Sequence, residues 1–82
     1  MFAIVDIETT GSYAKANNIT EIAICISDGQ KILSEFSSLV RPERSIPISI
    51  TALTGIDDNM VSDAPRFAEL ADQVREMLGD HV

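Results

Sequence analysis

Residues 19–27 alternate with period two: Ile22, Ile24 and Ile26 fall on one side, and Glu21, Ala23 and Cys25 on the other. Such alternation predicts a strand with one face buried. Residues 1–8 are apolar on both sides, since Ala3, Val5 and Ile7 point one way while Phe2, Ile4, Asp6 and Glu8 point the other. A strand apolar on both faces belongs in the middle of a sheet. Thr9-Thr10-Gly11-Ser12 ends it, and the polar residues 13–18 read as a loop. Asp28-Gly29 is a two-residue hairpin signal. It sends a third strand, residues 31–40, back antiparallel to the second, so the three form a meander.

The period then changes. Arg41-Pro42-Glu43-Arg44 reads as a turn, and Pro47 suits the first turn of a short helix running through Ile50 and Leu53 to a stop at Gly55. Phe67, Leu70, Ala71, Val74, Met77 and Leu78 recur at helical spacing. Asp63 or a neighbour is the expected cap of this longer helix, entered through Pro65 and stopped at Gly79.

With 82 residues there is room for one domain at most, and so short a chain buries only about 60–65% of its unfolded surface. The apolar runs are strand-sized, so none is long enough to span a bilayer. The N-terminal residues lack the pattern of a signal peptide, which sets a cytoplasmic location as the expectation. The one cysteine, Cys25, lies in an isoleucine-rich run and reads as a buried core thiol. A net charge of −7 counts against nucleic-acid binding, because phosphate contacts need Lys and Arg. The six basic residues form no cluster in sequence, so nucleic-acid chemistry would have to rest on bound cations or backbone donors.

The candidate chemistry lies in Asp6-Ile7-Glu8-Thr9-Thr10-Gly11. Carboxylates two residues apart on a strand share a face, roughly 6–7 Å apart along the chain. Burying them is costly unless something positive compensates, and a divalent metal does that directly. Two hard cations about 3.5–4 Å apart, held by carboxylates, are the known arrangement for in-line displacement at phosphorus. Mg²⁺ suits the role because it binds a few carboxylates together with substrate phosphate oxygens. Thr9 and Thr10 add hydroxyls, while Gly11 lets backbone N–H groups approach a phosphate. The bland alternative is a pair of solvated acids before an ordinary turn.

Directly after its short apolar run, this segment resembles the first signature of the DEDD 3′–5′ exonucleases. More closely, the chain is similar to the epsilon-subunit-like proofreading exonucleases of bacterial DNA polymerase III. The likeness extends to Ile19-Thr20-Glu21-Ile22-Ala23, Leu39-Val40-Arg41-Pro42, Ile50-Thr51-Ala52-Leu53-Thr54-Gly55-Ile56 and Ala64-Pro65-Arg66-Phe67. It implies the N-terminal part of an α/β, ribonuclease H-like fold, with the C-terminal strands and helices missing. It further implies Asp6 and Glu8 as catalytic metal ligands for Mg²⁺ or Mn²⁺, two ions in the complete enzyme. Thr9, Thr10, Gly11, Leu53 and Thr54 would neighbour the terminal nucleotide, with Leu53 as a wedge against a base; helix packing is the alternative for Leu53. Glu21 would support the metal site or serve structure alone.

The resemblance implies the 3′ end of single-stranded DNA as partner, with a polymerase subunit as a further candidate, no membrane, and an open oligomeric state. The family's two further aspartates and its general base come from later segments. His81 precedes that point and reads as a surface residue. Asp57, Asp58, Asp63, Asp72 and Asp80 read as loop, cap and surface acids. The chain is therefore expected to be a portion of one exonuclease domain, residues 1–82, inactive alone. Three other readings compete. One is an RNA-trimming exonuclease of the same superfamily. Another is a haloacid-dehalogenase-type phosphatase on a parallel sheet, with Asp6 as nucleophile. The third is a non-catalytic interaction module.

Overall fold

The computed structural model describes residues 1–11 and 18–79. Three strands, β1 (Phe2–Thr9), β2 (Ile19–Ser27) and β3 (Ile32–Leu39), form an antiparallel sheet in the order β1-β2-β3. Two helices follow, α1 (Ile48–Thr54) and α2 (Phe67–Leu78). The meander, both helices and the glycine stops therefore stand as the sequence predicts. The antiparallel pairing of β1 with β2 removes the parallel sheet that the phosphatase reading requires. Among the described residues no helix is long and apolar enough to cross a membrane. Most of the expected loop after Gly11, and the readings of Asp80 and His81, lie outside the described residues.

Alternation along β2 decides where the core sits. Ile22, Ile24 and Ile26 are buried and pack with Ile19, Val40, Leu70 and Val74, so α2 covers that face of the sheet. A smaller cluster of Ile46, Ile56 and Val61, with Leu39 and Ile50 against it, anchors the loops around α1. Helix α1 itself buries no residue and is held at Gly55, whose left-handed φ of 80° lets its N–H reach the Thr51 carbonyl at 2.8 Å.

Four expectations need correction. First, among the described residues β1 lies at the edge of the sheet and β2 at its centre. Phe2 and Ile4 on one face, and Val5 and Ile7 on the other, are exposed. Apolarity on both faces marks surface able to be covered; it does not say which strand lies beside it. Second, Cys25 is only half-buried, on the face away from α2, because its parity opposes that of Ile24 and Ile26.

Third, the hairpin between β2 and β3 is a four-residue loop rather than a two-residue one. Ser27 pairs with Ile32, and the Asp28 carboxylate accepts the N–H groups of Gln30 and Lys31 at 2.9 and 3.0 Å. Those two donors satisfy Asp28 best in the longer loop, and they hold its carboxyl below the usual aspartate range, the Lys31 bond contributing most. Fourth, Asp63 does not cap α2. The helix starts after Arg66, whose N–H is accepted by Glu69 Oε1 at 3.0 Å, the return half of a capping box.

Candidate active site

The pairing register puts the acids together. Asp6 faces Ala23 and Glu8 faces Glu21 across the β1–β2 ladder. Directly opposed residues share a sheet face, so Asp6, Glu8 and Glu21 lie on the side that α2 leaves open. A shallow cavity of about 320 Å³ lies over that face, lined by Ile4, Asp6, Cys25, Glu35 and Ser37 among others. Asp6 is exposed and Glu8 half-buried. Among the described residues neither carboxylate is tied up by a hydrogen bond or an arginine, the arrangement that would have made the pair merely structural. The register shifts between Glu8 and Thr9, where the ladder skips Thr20 and pairs Thr9 with Ile19. Bulges of this kind bend a strand end and re-aim its side chains, and they are over-represented next to active sites.

Beyond the bulge the chain turns toward α1. Thr9 Oγ1 donates to the Gly11 carbonyl at 3.0 Å and accepts the Gly11 N–H at 3.3 Å. Gly11 has φ 144°, and a Cβ there would lie 3.9 Å from Ile50 of α1. The contact brings the Thr-Thr-Gly turn and the short helix together, although some forty residues of sequence separate them. Thr10, Gly11, Ser49 and Ile50 line a groove of about 420 Å³, joined by Arg44 and Ser45.

The remaining predicted residues divide by how their polar groups are used. Thr54 Oγ1 donates to the Ile50 carbonyl at 3.0 Å and accepts the Ile56 N–H at 3.1 Å, so its proton is spent within α1. Thr9 is likewise committed to its own turn. Thr10 lines the groove, and its N–H donates to the Asn18 carbonyl at 2.9 Å. Leu53 is 81% exposed, so its side chain packs little against the described residues.

Among the described residues, no group of three or more His, Cys, Asp and Glu side chains converges into a metal cage. Two carboxylates on an open face fit Mg²⁺ or Mn²⁺ in its usual mode, with the other positions left to water and substrate oxygens. Sequence reasoning missed Arg44, Ser45 and Ser49 in the groove wall, because no periodicity or motif links them to the end of β1. It also undervalued Asp58, which accepts the Ile46 N–H at 2.9 Å and pins the loop before α1.

Residues 3–82 match the RNase T family model, described as exonuclease. The chain belongs to this exonuclease family. It is 38% identical over 81 residues to the 3′-5′ exonuclease DinG of Staphylococcus haemolyticus, covering 99% of this chain and 9% of that protein. To a PolC-type DNA polymerase III of Bacillus cereus it is 35% identical over 80 residues, covering 98% of this chain and 6% of the relative. Among solved structures, Exonuclease X in complex with 5′ overhanging duplex DNA superposes with a TM-score of 0.76 at 36% identity. That match covers 90% of this chain and 43% of the other. A 3′-exonuclease recognising the 3′ end of a histone mRNA stem-loop superposes with a TM-score of 0.70 at 25% identity, over 94% of this chain and 38% of that one. The exonuclease chain therefore spans under a tenth of the curated relatives it matches and under half of these structures. Its sheet and helices correspond to the N-terminal part of the ribonuclease H-like exonuclease fold.

Proposed function

We infer that this chain supplies the first half of the active site of a metal-dependent 3′–5′ exonuclease of the proofreading type, acting on the 3′ end of single-stranded DNA. One observation carries the reading: Asp6 and Glu8 stand on the one sheet face that α2 leaves uncovered, immediately before a bulge and a glycine turn. Asp6 and Glu8 would hold Mg²⁺ or Mn²⁺ there. The metal supplies charge neutralisation at the scissile phosphate and a lowered pKa for water. The protein's own part is positional. Thr10 and the Gly11 backbone would receive the terminal nucleotide, and exposed Leu53 would lie against its base. Thr54 would neighbour the same nucleotide, with its hydroxyl proton already donated within α1.

DNA is favoured over RNA by the epsilon-like segments, by the polymerase III relative, and by the higher identity to the DNA-bound exonuclease than to the mRNA-recognising one. Alone, this chain is expected to hydrolyse poorly, because two carboxylates hold a metal pair weakly and no general base stands beside them among the described residues. Metal binding is therefore the direct test. Mn²⁺ titrated into the chain and followed by electron paramagnetic resonance should show binding that Asp6→Asn and Glu8→Gln each weaken at least tenfold. No measurable affinity in the unsubstituted chain, or undiminished affinity in both variants, would overturn the reading.

A further inference from the structure

The chain carries −7 overall, yet its fold gathers positive charge in one place. Arg41, Arg44 and Arg66 line a polar pocket of about 230 Å³ together with Ser45 and Ser62. Of the other basic residues among those described, Lys31 sits in the hairpin loop and Arg75 pairs with Asp72 at 3.2 Å. Two acids also line the pocket, Glu43 and Asp58, and Asp58 already accepts the Ile46 N–H at 2.9 Å. Three guanidinium groups against two carboxylates leave a local charge of +1, the reverse of the chain as a whole.

The platform is fixed. The Arg41 N–H donates to the Pro65 carbonyl at 2.8 Å, joining the end of β3 to the entry of α2, which brings Arg41 and Arg66 to one pocket. Between the arginines, Pro42 is buried, and just beyond them Ile46 is 5% exposed, so the loop is held at both ends while Arg41 and Arg44 face outward. A loop whose backbone is already fixed loses little further backbone freedom on meeting a ligand. Arg44 and Ser45 also line the neighbouring groove whose far wall is Thr10 and Gly11. The two cavities thus adjoin at Arg44 and Ser45, between the turn after Asp6 and Glu8 and the other arginines.

We propose that Arg41, Arg44 and Arg66 form a phosphate-binding subsite that holds the backbone of a single-stranded nucleic acid whose 3′ end lies at Asp6 and Glu8. Guanidinium forks match phosphodiester oxygens, and a serine hydroxyl beside them adds a neutral donor. The subsite rests on the exonuclease reading for its direction along the strand, but not for its anion chemistry. It also explains how a strongly acidic domain meets a polyanion.

The test is fluorescence anisotropy of a labelled single-stranded DNA octamer, with an RNA octamer as a second arm. Three phosphate contacts give a salt slope of about −2 on logarithmic axes, so affinity should fall roughly 20-fold between about 50 and 200 mM salt. The Arg41→Gln/Arg44→Gln/Arg66→Gln variant should lose most of that dependence. Arg44→Gln alone should lose about a third of the slope, and Arg44→Lys should recover it. Arg75→Gln removes the same charge elsewhere on α2 and should bind as the unsubstituted chain does. Urea melts of all variants report folding separately. Equal losses from Arg75→Gln and Arg44→Gln, an unchanged slope in the folded triple variant, or no salt-dependent binding by the unsubstituted chain would each overturn the proposal. Equal affinity for both octamers keeps the subsite as a backbone reader, whereas octamer binding by an unsubstituted chain that shows no Mn²⁺ affinity defeats the metal reading alone.

Discussion

Replacing Leu53 by alanine separates a side chain that packs from one that waits for a ligand. Leu53 is 81% exposed on α1, a helix with no buried residue. Full burial of a leucine is worth about 1.5–3 kcal/mol, so the fifth already covered contributes about 0.3–0.6 kcal/mol. Alanine is the better helix former by a few tenths of a kcal/mol, which offsets part of that loss. Leu53→Ala should therefore change the free energy of unfolding by less than about 0.5 kcal/mol. Leu70→Ala, at a position 8% exposed in the core, should cost about 2–5 kcal/mol. Both follow from urea titration monitored by circular dichroism. If a base covers the remaining four-fifths of Leu53, the side chain adds about 1.2–2.4 kcal/mol to binding. That corresponds to about a 7- to 50-fold loss of octamer affinity in the alanine variant. A destabilisation above about 1.5 kcal/mol would show that Leu53 packs against the fold after all. Unchanged affinity would remove it from the nucleotide site.

Thr20 is 1% exposed and its hydroxyl has no hydrogen-bond partner among the described residues, so the near-isosteric Thr20→Val should stabilise the chain by about 1 kcal/mol, read as a higher urea midpoint. A lower midpoint would reveal a donor or acceptor for that hydroxyl. Glu8 and Glu21 oppose each other across the ladder, and like charges so placed are unfavourable. Glu21→Gln should gain about 0.2–1 kcal/mol at low salt, shrink in advantage as salt is added, and weaken Mn²⁺ binding. A loss of stability instead would assign Glu21 a structural partner. Asp28 has a lowered pKa from the Lys31 and Gln30 N–H groups, so its contribution to the hairpin is complete above the ordinary aspartate pKa. That contribution should fade as pH falls through the lowered value, with the Gln30 and Lys31 amide resonances shifting in step. A carboxyl midpoint at or above the ordinary value would contradict the loop geometry.

How much could be read from the residues differs by element, for physical reasons. Strand β2 was legible to its last residue because one isoleucine face alternates with a half-polar one. The helices were legible because Gly55 and Gly79 stop them at positive φ, where other residues are strained. The start of α2 was not, since Glu69 reaches back to a backbone N–H while no side chain at the expected cap takes part. The same-face placement of Asp6 and Glu8 needed only strand parity. Their alignment with Glu21 needed the register, and the bulge at Thr9 left no mark in composition. Hydroxyl commitments at Thr9 and Thr54, and the meeting of Arg41 with Arg66, depend on local turns and one long-range backbone bond. No pattern along the chain encodes them.

The outer rim of β1, unpaired among the described residues, gives the acidic pair a second duty. Phe2, Ile4, Val5 and Ile7 would make that rim a template for stacking other extended segments, and inward charges are how natural sheets discourage such growth. Asp6 and Glu8 are the only charged side chains in β1. Neutralising them, by acid or by substitution, should favour clumping of the chain as well as loss of ion affinity. Sedimentation of Asp6→Asn beside Asp6→Lys separates the two: the lysine restores solubility while leaving Glu8 alone, beside a positive charge, to hold a cation.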